Sequence, residues 1–301
     1  MIGASGLVGG ALVRAWKSRG AEVREADLRP EAGGPGLALD MRDERAVRAA
    51  LAGFAGGIVA VPAANPFVDY CESHPEETRR VNVAGTLAVA RACAEAGARM
   101  VFFSSDYVFD GARGAYREED PVCPLNEYGR QKAEAEAGVL AASPAHLVIR
   151  TANAYGWQRE PKNFVLQVLR RLGAGEDMAV PAQSRMSPTL ADNLAEVSAA
   201  LAGRGAAGIY HVVGGDHLPR REFAALAARV FGLDESRLRC AAAGAPPAAA
   251  RRPQDAVLLT DKARAAVGLP LLGARPGLER MAGMRELRRA CAPFLPGPAH
   301  P

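Results

Sequence analysis

The chain has 301 residues, 49% of them hydrophobic and 23% charged, with a formal net charge of +4. That size accommodates one large domain and a smaller appended lobe. The composition is that of a globular protein: the sequence has no apolar run of the ~18–20 residues that a membrane helix needs. Arg251-Arg252 and Arg288-Arg289 are short pairs rather than a basic stripe, so neither nucleic acid nor a membrane surface is expected as a partner. The five cysteines (Cys71, Cys93, Cys123, Cys240, Cys291) are scattered without C-x-x-C spacing, and the five histidines lack ligand spacing. They read as free thiols with no metal site. With no cationic-then-apolar leader, the expected location is cytoplasmic.

Along the chain, apolar runs alternate with helical periods. Residues 22–27 read as a strand, 44–51 as a helix, 58–61 as a strand, 81–96 as a helix closed by Gly97, and 100–103 as a strand. Residues 128–142 then read as a helix and 147–149 as a strand. This alternation implies an α/β doubly wound parallel sheet covered on both faces. The second half is less regular. Helices are expected over 190–201 and 220–231, a strand over 209–213, an extended loop over 240–253, and a frayed Pro-rich tail over 295–301.

Gly3-Ala4-Ser5-Gly6-Leu7-Val8-Gly9 is a G-x-x-G-x-x-G turn running into an amphipathic helix. Such a turn needs glycine for a tight bend, for close approach of a pyrophosphate and for close helix packing. The helix start offers N–H groups to the phosphates. Asp27 follows at the spacing of a ribose-binding carboxylate, which favours NAD. Arg29 could neutralise a 2′-phosphate, which favours NADP, so both cofactors stay open. Asp40-Met41 is placed to frame the adenine. Only Met1-Ile2 precede Gly3, where a buried strand belongs. The expectation is therefore a truncated first strand, either from a start further upstream or in a degenerate protein. An intact mass of the native protein equal to 31.5 kDa would count against the upstream start.

Tyr128-Gly129-Arg130-Gln131-Lys132 is a Y-x-x-x-K motif on an expected helix, which puts Tyr128 and Lys132 on one face. A cation beside the phenol would lower its pKa and let it exchange a proton with a carbonyl oxygen. Lys132 could also hydrogen-bond a cofactor ribose. Ser104-Ser105 lie at the C-terminal edge of the 100–103 strand, where ligands sit in open α/β sheets. A hydroxyl there can polarise a carbonyl. Asn82, on the preceding helix, could hold a water or a backbone group near Lys132.

At these residues the sequence resembles a known family. Phe103-Ser104-Ser105-Asp106-Tyr107-Val108-Phe109-Asp110-Gly111 resembles the S-T-D-Y-V-F-D-G segment of the dTDP-4-dehydrorhamnose reductases. Pro124-Leu125-Asn126-Glu127-Tyr128-Gly129 resembles their P-L-N-x-Y-G. Arg150-Thr151, Ser187-Pro188-Thr189, Gly208-Ile209-Tyr210-His211 and Ala250-Arg251-Arg252-Pro253 follow in family order, so the resemblance covers nearly the whole chain. It implies an extended short-chain dehydrogenase/reductase, with a Rossmann domain at 1–155 to which 186–215 return. The substrate lobe would be 156–185 and 216–301. It implies NADP or NAD as cofactor, a nucleotide sugar as partner, hydride transfer to a 4-keto-6-deoxy sugar, and room for a homodimer.

By motif position, Ser105, Tyr128 and Lys132 would be catalytic, with Tyr128 the proton donor. Gly3, Gly6, Leu7, Val8 and Gly9 would meet the pyrophosphate. Asp27, Arg29, Asp40 and Met41 would meet adenosine, and Ala64, Asn65, Pro66 and Phe103 would line the cofactor cleft. Ser105, Asp106 and Asn153 would face the sugar. Two departures bear on the substrate: Asn153 replaces the family's tryptophan in R-T-S-W-V-Y-G, and Asn65-Pro66 replace Tyr-Thr in A-A-Y-T-x-V-D. Alternatives are a nucleotide-sugar epimerase or dehydratase, with Asp106 as an extra acid, and a dinucleotide-binding regulatory subunit resembling that of methionine adenosyltransferase. Net consumption of reduced cofactor separates the reductase from the other enzymes, and a stoichiometric synthetase partner would mark the subunit.

Overall fold

The structure, a computed structural model, describes residues 1–30, 36–160, 162–181, 184–241 and 249–291. Its contacts divide the chain into two units. The first comprises Met1–Thr151, Ala195–Val212 and Ala248–Leu269; the second comprises Ala152–Leu194, Val213–Pro247 and Pro270–Pro301.

The first unit is built on parallel strands. Strands β1 (Ala26–Asp27), β2 (Leu37–Ala38), β3 (Ile58–Val61) and β4 (Arg99–Ser105) come from the first third of the chain. Strand β5 (Ala115–Tyr116) pairs with Val257–Leu258, away from the main sheet. Strand β6 (Leu147–Thr151) pairs with β4 and with the Gly208–His211 strand, and β3 pairs with β4, all in parallel. The expected strand over 22–27 is thus only two residues long, whereas the expected 100–103 strand extends to Ser105.

Met1 and Ile2 occupy the slot between β1 and β3. The Ile2 N–H donates to the Ala60 carbonyl at 2.9 Å, Ala26 N–H donates to the Met1 carbonyl at 2.7 Å, and Ile2 bridges Ala26 in parallel. The two residues therefore satisfy backbone groups on both neighbours. They join the β1–β2 pair to the four-stranded sheet in a Rossmann-type order.

Helices cover this sheet. They are α1 (Leu7–Lys17), α2 (Glu44–Leu51), α3 (Val68–Ser73), α4 (Pro75–Arg79), α5 (Thr86–Glu95) and α6 (Glu127–Ala142). Their apolar faces bury Val47, Val89, Ala135 and Val139 against Val59, Met100, Phe102 and Val148 of the strands. The expected 81–96 helix is broken: Arg80–Gly85 is a π-helical turn, and regular α-helix begins only at Thr86. Such bulges push one residue's side chain out of the regular register, and here the turn carries Asn82.

The second unit has its own core of Tyr155, Trp157, Leu166, Phe223, Leu278 and Met281. Short strand pairs frame it: Ala154–Tyr155 with Thr189–Leu190, Met178–Val180 with Leu238–Cys240, and Arg185–Met186 with Leu218–Pro219. Its helices include Phe164–Gly173, begun by the Asn163 side chain accepting from the Leu166 N–H at 3.2 Å. Part of the expected 240–253 loop and the whole 295–301 tail lie outside the described residues. Among the described residues no helix is long and apolar enough to cross a membrane, and no group of three or more His, Cys, Asp or Glu side chains could hold a metal ion.

Candidate active site

Helix α6 presents the Y-x-x-x-K pair because of how it starts. Asn126 is the N-cap, its side chain accepting from the Gly129 N–H at 2.9 Å while donating to the Arg251 carbonyl at 2.7 Å. Gly129 packs against the 3₁₀ turn Asp106–Val108, where a Cβ would lie 2.1 Å from the Tyr107 carbonyl oxygen. Only glycine lets the helix come this close, and that closeness brings Tyr128 to the end of β4. The rings of Tyr107 and Tyr128 meet edge to face, with centroids 5.8 Å apart.

Ser105 is the last residue of β4 and caps the 3₁₀ turn. Its hydroxyl donates to Asp106 Oδ1 at 2.9 Å and accepts from the Tyr107 N–H at 3.2 Å. Its hydroxyl also neighbours the Tyr128 phenol. Lys132 is buried; its Nζ donates to the Phe103 carbonyl at 2.8 Å and lies 5.8 Å from the centre of the Tyr128 ring. The structure therefore brings Ser105, Asp106, Phe103, Tyr128 and Lys132 together within the first unit.

The electrostatics differ from the expected lowering of the Tyr128 phenol by Lys132. Burial, and then the Asp106 carboxylate, raise the Tyr128 pKa above its ordinary value, against the smaller lowering effect of the neighbouring Ser105 hydroxyl. The Lys132 ammonium is tied to the Phe103 carbonyl, and burial pulls its own pKa down to about 8 despite the Glu136 carboxylate. Burial also pushes the Asp106 carboxyl up to about 7, opposed by the hydrogen bond from Ser105. Desolvation thus sets the direction of the shift, and Tyr128, like an ordinary tyrosine, carries its proton at neutral pH.

The glycine turn fits a dinucleotide. Gly3 has φ +91°, and a Cβ there would meet Ala63 at 2.9 Å. A Cβ on Gly9 would lie 1.9 Å from the Gly3 carbonyl oxygen. Gly6 is the N-cap of α1 and no side chain caps it, so the first turn through Leu7 and Val8 is open to an anion. Asp27, at the end of β1, is already engaged: its Oδ2 accepts from the Ser5 N–H at 2.8 Å and the Ser5 hydroxyl at 2.6 Å, while Oδ1 accepts from the Leu28 N–H. Ser5 is thus a residue the motif reading missed, a hydroxyl inside the turn that ties it to the next strand. Arg29 is exposed.

Asp40 holds Arg42 in a two-pronged ion pair at 2.6 Å, which keeps its carboxyl below the usual range. Met41 is buried against Gly85, where an added Cβ would meet its Cγ at 2.8 Å. Ala64 and Asn65 are half-buried after β3, Pro66 is exposed, and the Asn65 backbone is gripped by Asn82. Asn153 belongs to the second unit; it is exposed, has φ +46°, and accepts from the Ser187 N–H at 3.3 Å. Gln131 is a second residue the motifs did not single out. It is fully buried one position before Lys132, and its helical spacing from Tyr128 and Glu127 is the signal that could have found it.

A Rossmann-type parallel sheet, an uncapped glycine turn and a Ser–Tyr–Lys cluster at one strand end define the class of NAD(P)-dependent oxidoreductases of the short-chain dehydrogenase/reductase type. Comparison with known proteins carries this further. The model of the RmlD substrate binding domain family matches residues 1–286, and the chain belongs to that family. A dTDP-4-dehydrorhamnose reductase of Streptomyces griseus is 36% identical over 279 residues, covering 90% of this chain and 88% of the relative. One of Escherichia coli (strain K12) is 33% identical over 74% of this chain and 78% of the relative. Among solved structures, a dTDP-4-dehydrorhamnose reductase of Bacillus anthracis str. Ames in complex with NADP superposes with a TM-score of 0.84 at 26% identity, covering 93% of this chain and 96% of that one.

Proposed function

We propose that the chain reduces the keto group of a nucleotide-linked deoxysugar, as the names of its relatives suggest, with Tyr128 as the proton donor. The observation that carries this is the environment of Tyr128. The phenol sits at the C-terminal end of β4 beside Ser105, with Lys132 Nζ 5.8 Å from its ring centre, and like any tyrosine it is protonated at neutral pH. A held proton suits reduction of a ketone, in which oxygen gains a proton as carbon gains a hydride.

Gly3, Gly6, Leu7, Val8 and Gly9 would hold the pyrophosphate of the dinucleotide. Asp27, Asp40 and Met41 would lie along the adenosine, and Ala64, Asn65, Pro66 and Phe103 along the cleft. When bound, the reduced dinucleotide supplies the hydride. Ser105 donates a hydrogen bond to the keto oxygen and orients it. Tyr128 passes its proton to that oxygen, and the Lys132 ammonium favours the phenolate left behind. Asp106, half-protonated near neutrality, lies beside the same oxygen.

The test follows oxidation of NADPH and of NADH by the purified chain given dTDP-4-dehydro-6-deoxy-L-mannose, beside Tyr128→Phe. Substrate-dependent oxidation that falls about 100-fold or more in the variant is expected. Turnover unchanged in Tyr128→Phe would remove the phenol from the chemistry. No net consumption of reduced cofactor with any keto sugar nucleotide would sink the reductase reading.

A further inference from the structure

The π-helical turn Arg80–Gly85 delivers Asn82 into a buried polar seam, where it holds a backbone group as its position in the sequence suggested. Asn82 grips the Asn65 peptide from both sides: its Oδ1 accepts from the Asn65 N–H at 2.8 Å and its Nδ2 donates to the Asn65 carbonyl at 3.1 Å. The same Nδ2 donates to Gln131 Oε1 at 2.8 Å. Gln131 in turn donates through Nε2 to Thr78 Oγ1 at 3.0 Å and to the Pro75 carbonyl at 3.1 Å. Thr78, Asn82 and Gln131 are each 1% exposed or less. The chain of bonds runs from helix α6, one residue before Lys132, through the π turn to the loop after β3.

Amides pair this way for a physical reason. A buried amide left without a partner keeps its full desolvation cost, so each member fixes the next. Glutamine is long enough to span from α6 to both α4 and the π turn, and it supplies an acceptor to one and donors to the other. The Asn65 loop is therefore referenced to the helix that carries Tyr128 and Lys132, and not to β3 alone.

We propose that Gln131 is a positioning residue that acts through Asn82 to hold the Asn65–Pro66 loop in its dinucleotide-binding conformation. The inference rests on the reading of that loop as part of the cofactor cleft. It concerns dinucleotide affinity: Ser105 is held by Asp106 and the Tyr107 N–H, and Lys132 by the Phe103 carbonyl, bonds in which Gln131 takes no part.

The experiment compares the full chain with Gln131→Met, which keeps length and volume but neither donates nor accepts as an amide does. Affinity for NADPH and NADH is read by titration, KM and kcat by turnover, and exposure of the loop by the rate of N-ethylmaleimide labelling at Cys71. Cys71 is buried, its thiol donates to the Asn65 carbonyl at 3.5 Å, and Cys93, buried elsewhere in the unit, serves as the internal reference.

In Gln131→Met the dinucleotide Kd and KM are expected to rise about tenfold, with kcat at saturation falling less than KM rises. Cys71 labelling should accelerate relative to Cys93. Thr78→Val, which removes one anchor of Gln131 and leaves its bond to Asn82, provides a milder variant should the first fail to fold, and a rise in Kd of about threefold is expected there. Unchanged Kd with a lowered melting temperature would overturn the proposal and leave Gln131 as packing alone. Faster Cys71 labelling with unchanged Kd would also overturn it, because the loop would have loosened without effect on the dinucleotide. A parent chain that binds neither dinucleotide would instead overturn the functional reading, and this inference with it.

Discussion

Lys132 and Tyr128 are perturbed in the directions that burial dictates. Lys132 has its pKa pulled from the ordinary lysine value to about 8, and that of Tyr128 is raised. Below about pH 8 the ammonium is present; above it the charge that would favour the phenolate left on Tyr128 is lost. The rate of reduction, kcat/KM, should accordingly stay level through neutrality and decline as the pH passes about 8. The pH–rate profile of Lys132→Met checks this: it should be lower throughout and lack that alkaline limb. An unchanged limb in the variant would assign it to another group. The spacing of Tyr128 and Lys132 was legible in the sequence because i and i+4 share a helix face. The direction of the tyrosine shift was not, because it depends on how completely the fold removes water from the phenol and on Asp106 lying beside it.

Among the elements, the glycine turn shows the same division. Its three glycines were readable as a tight strand-to-helix turn, and the structure gives a steric reason for Gly9: an added Cβ would lie 1.9 Å from the Gly3 carbonyl oxygen. Gly9→Ala must push that strand-to-helix turn open. It is expected to lower dinucleotide affinity at least about tenfold and the melting temperature by several degrees, measured by titration and by thermal unfolding. Retained affinity would mean that the turn relaxes freely. The π turn at Arg80–Gly85, by contrast, had no local signal. Residues 81–96 have an unbroken helical period, and the bulge follows from the tertiary bonds of Asn82 to Asn65 and Gln131. The tie between Ser5 and Asp27 was likewise hidden, since the two lie 22 residues apart and meet only when α1 packs on β1.

For the molecule as a whole, each unit carries its own core, and the first is pinned by a fully buried ion pair. Arg150 on β6 donates to Glu136 of α6 at 2.8 Å, and its Nη1 donates to the Glu118 carbonyl and to His211. The His211 pKa is pushed down to about 3 by burial and then by Arg150, so its ring is neutral and donates from Nδ1 to the Leu259 carbonyl. Removing one partner strands the other charge. Glu136→Leu should therefore cost about 3–5 kcal/mol in denaturant unfolding. The double variant Glu136→Leu/Arg150→Met should recover most of that loss, and a double variant as unstable as the single would argue against charge burial as the cause.

By itself the sequence determined the parallel α/β architecture, the turn at Gly3–Gly9 and the face shared by Tyr128 and Lys132. Each of these follows from local periodicity, glycine's freedom or a spacing of a few residues. Only the tertiary structure decided that Met1 and Ile2 bridge β1 to β3, that Asn82 and Gln131 join the Asn65 loop to helix α6, and that burial raises rather than lowers the Tyr128 pKa. Those outcomes arise from backbone groups, amides and charges distant in the chain losing water together, and no local pattern records which groups will meet.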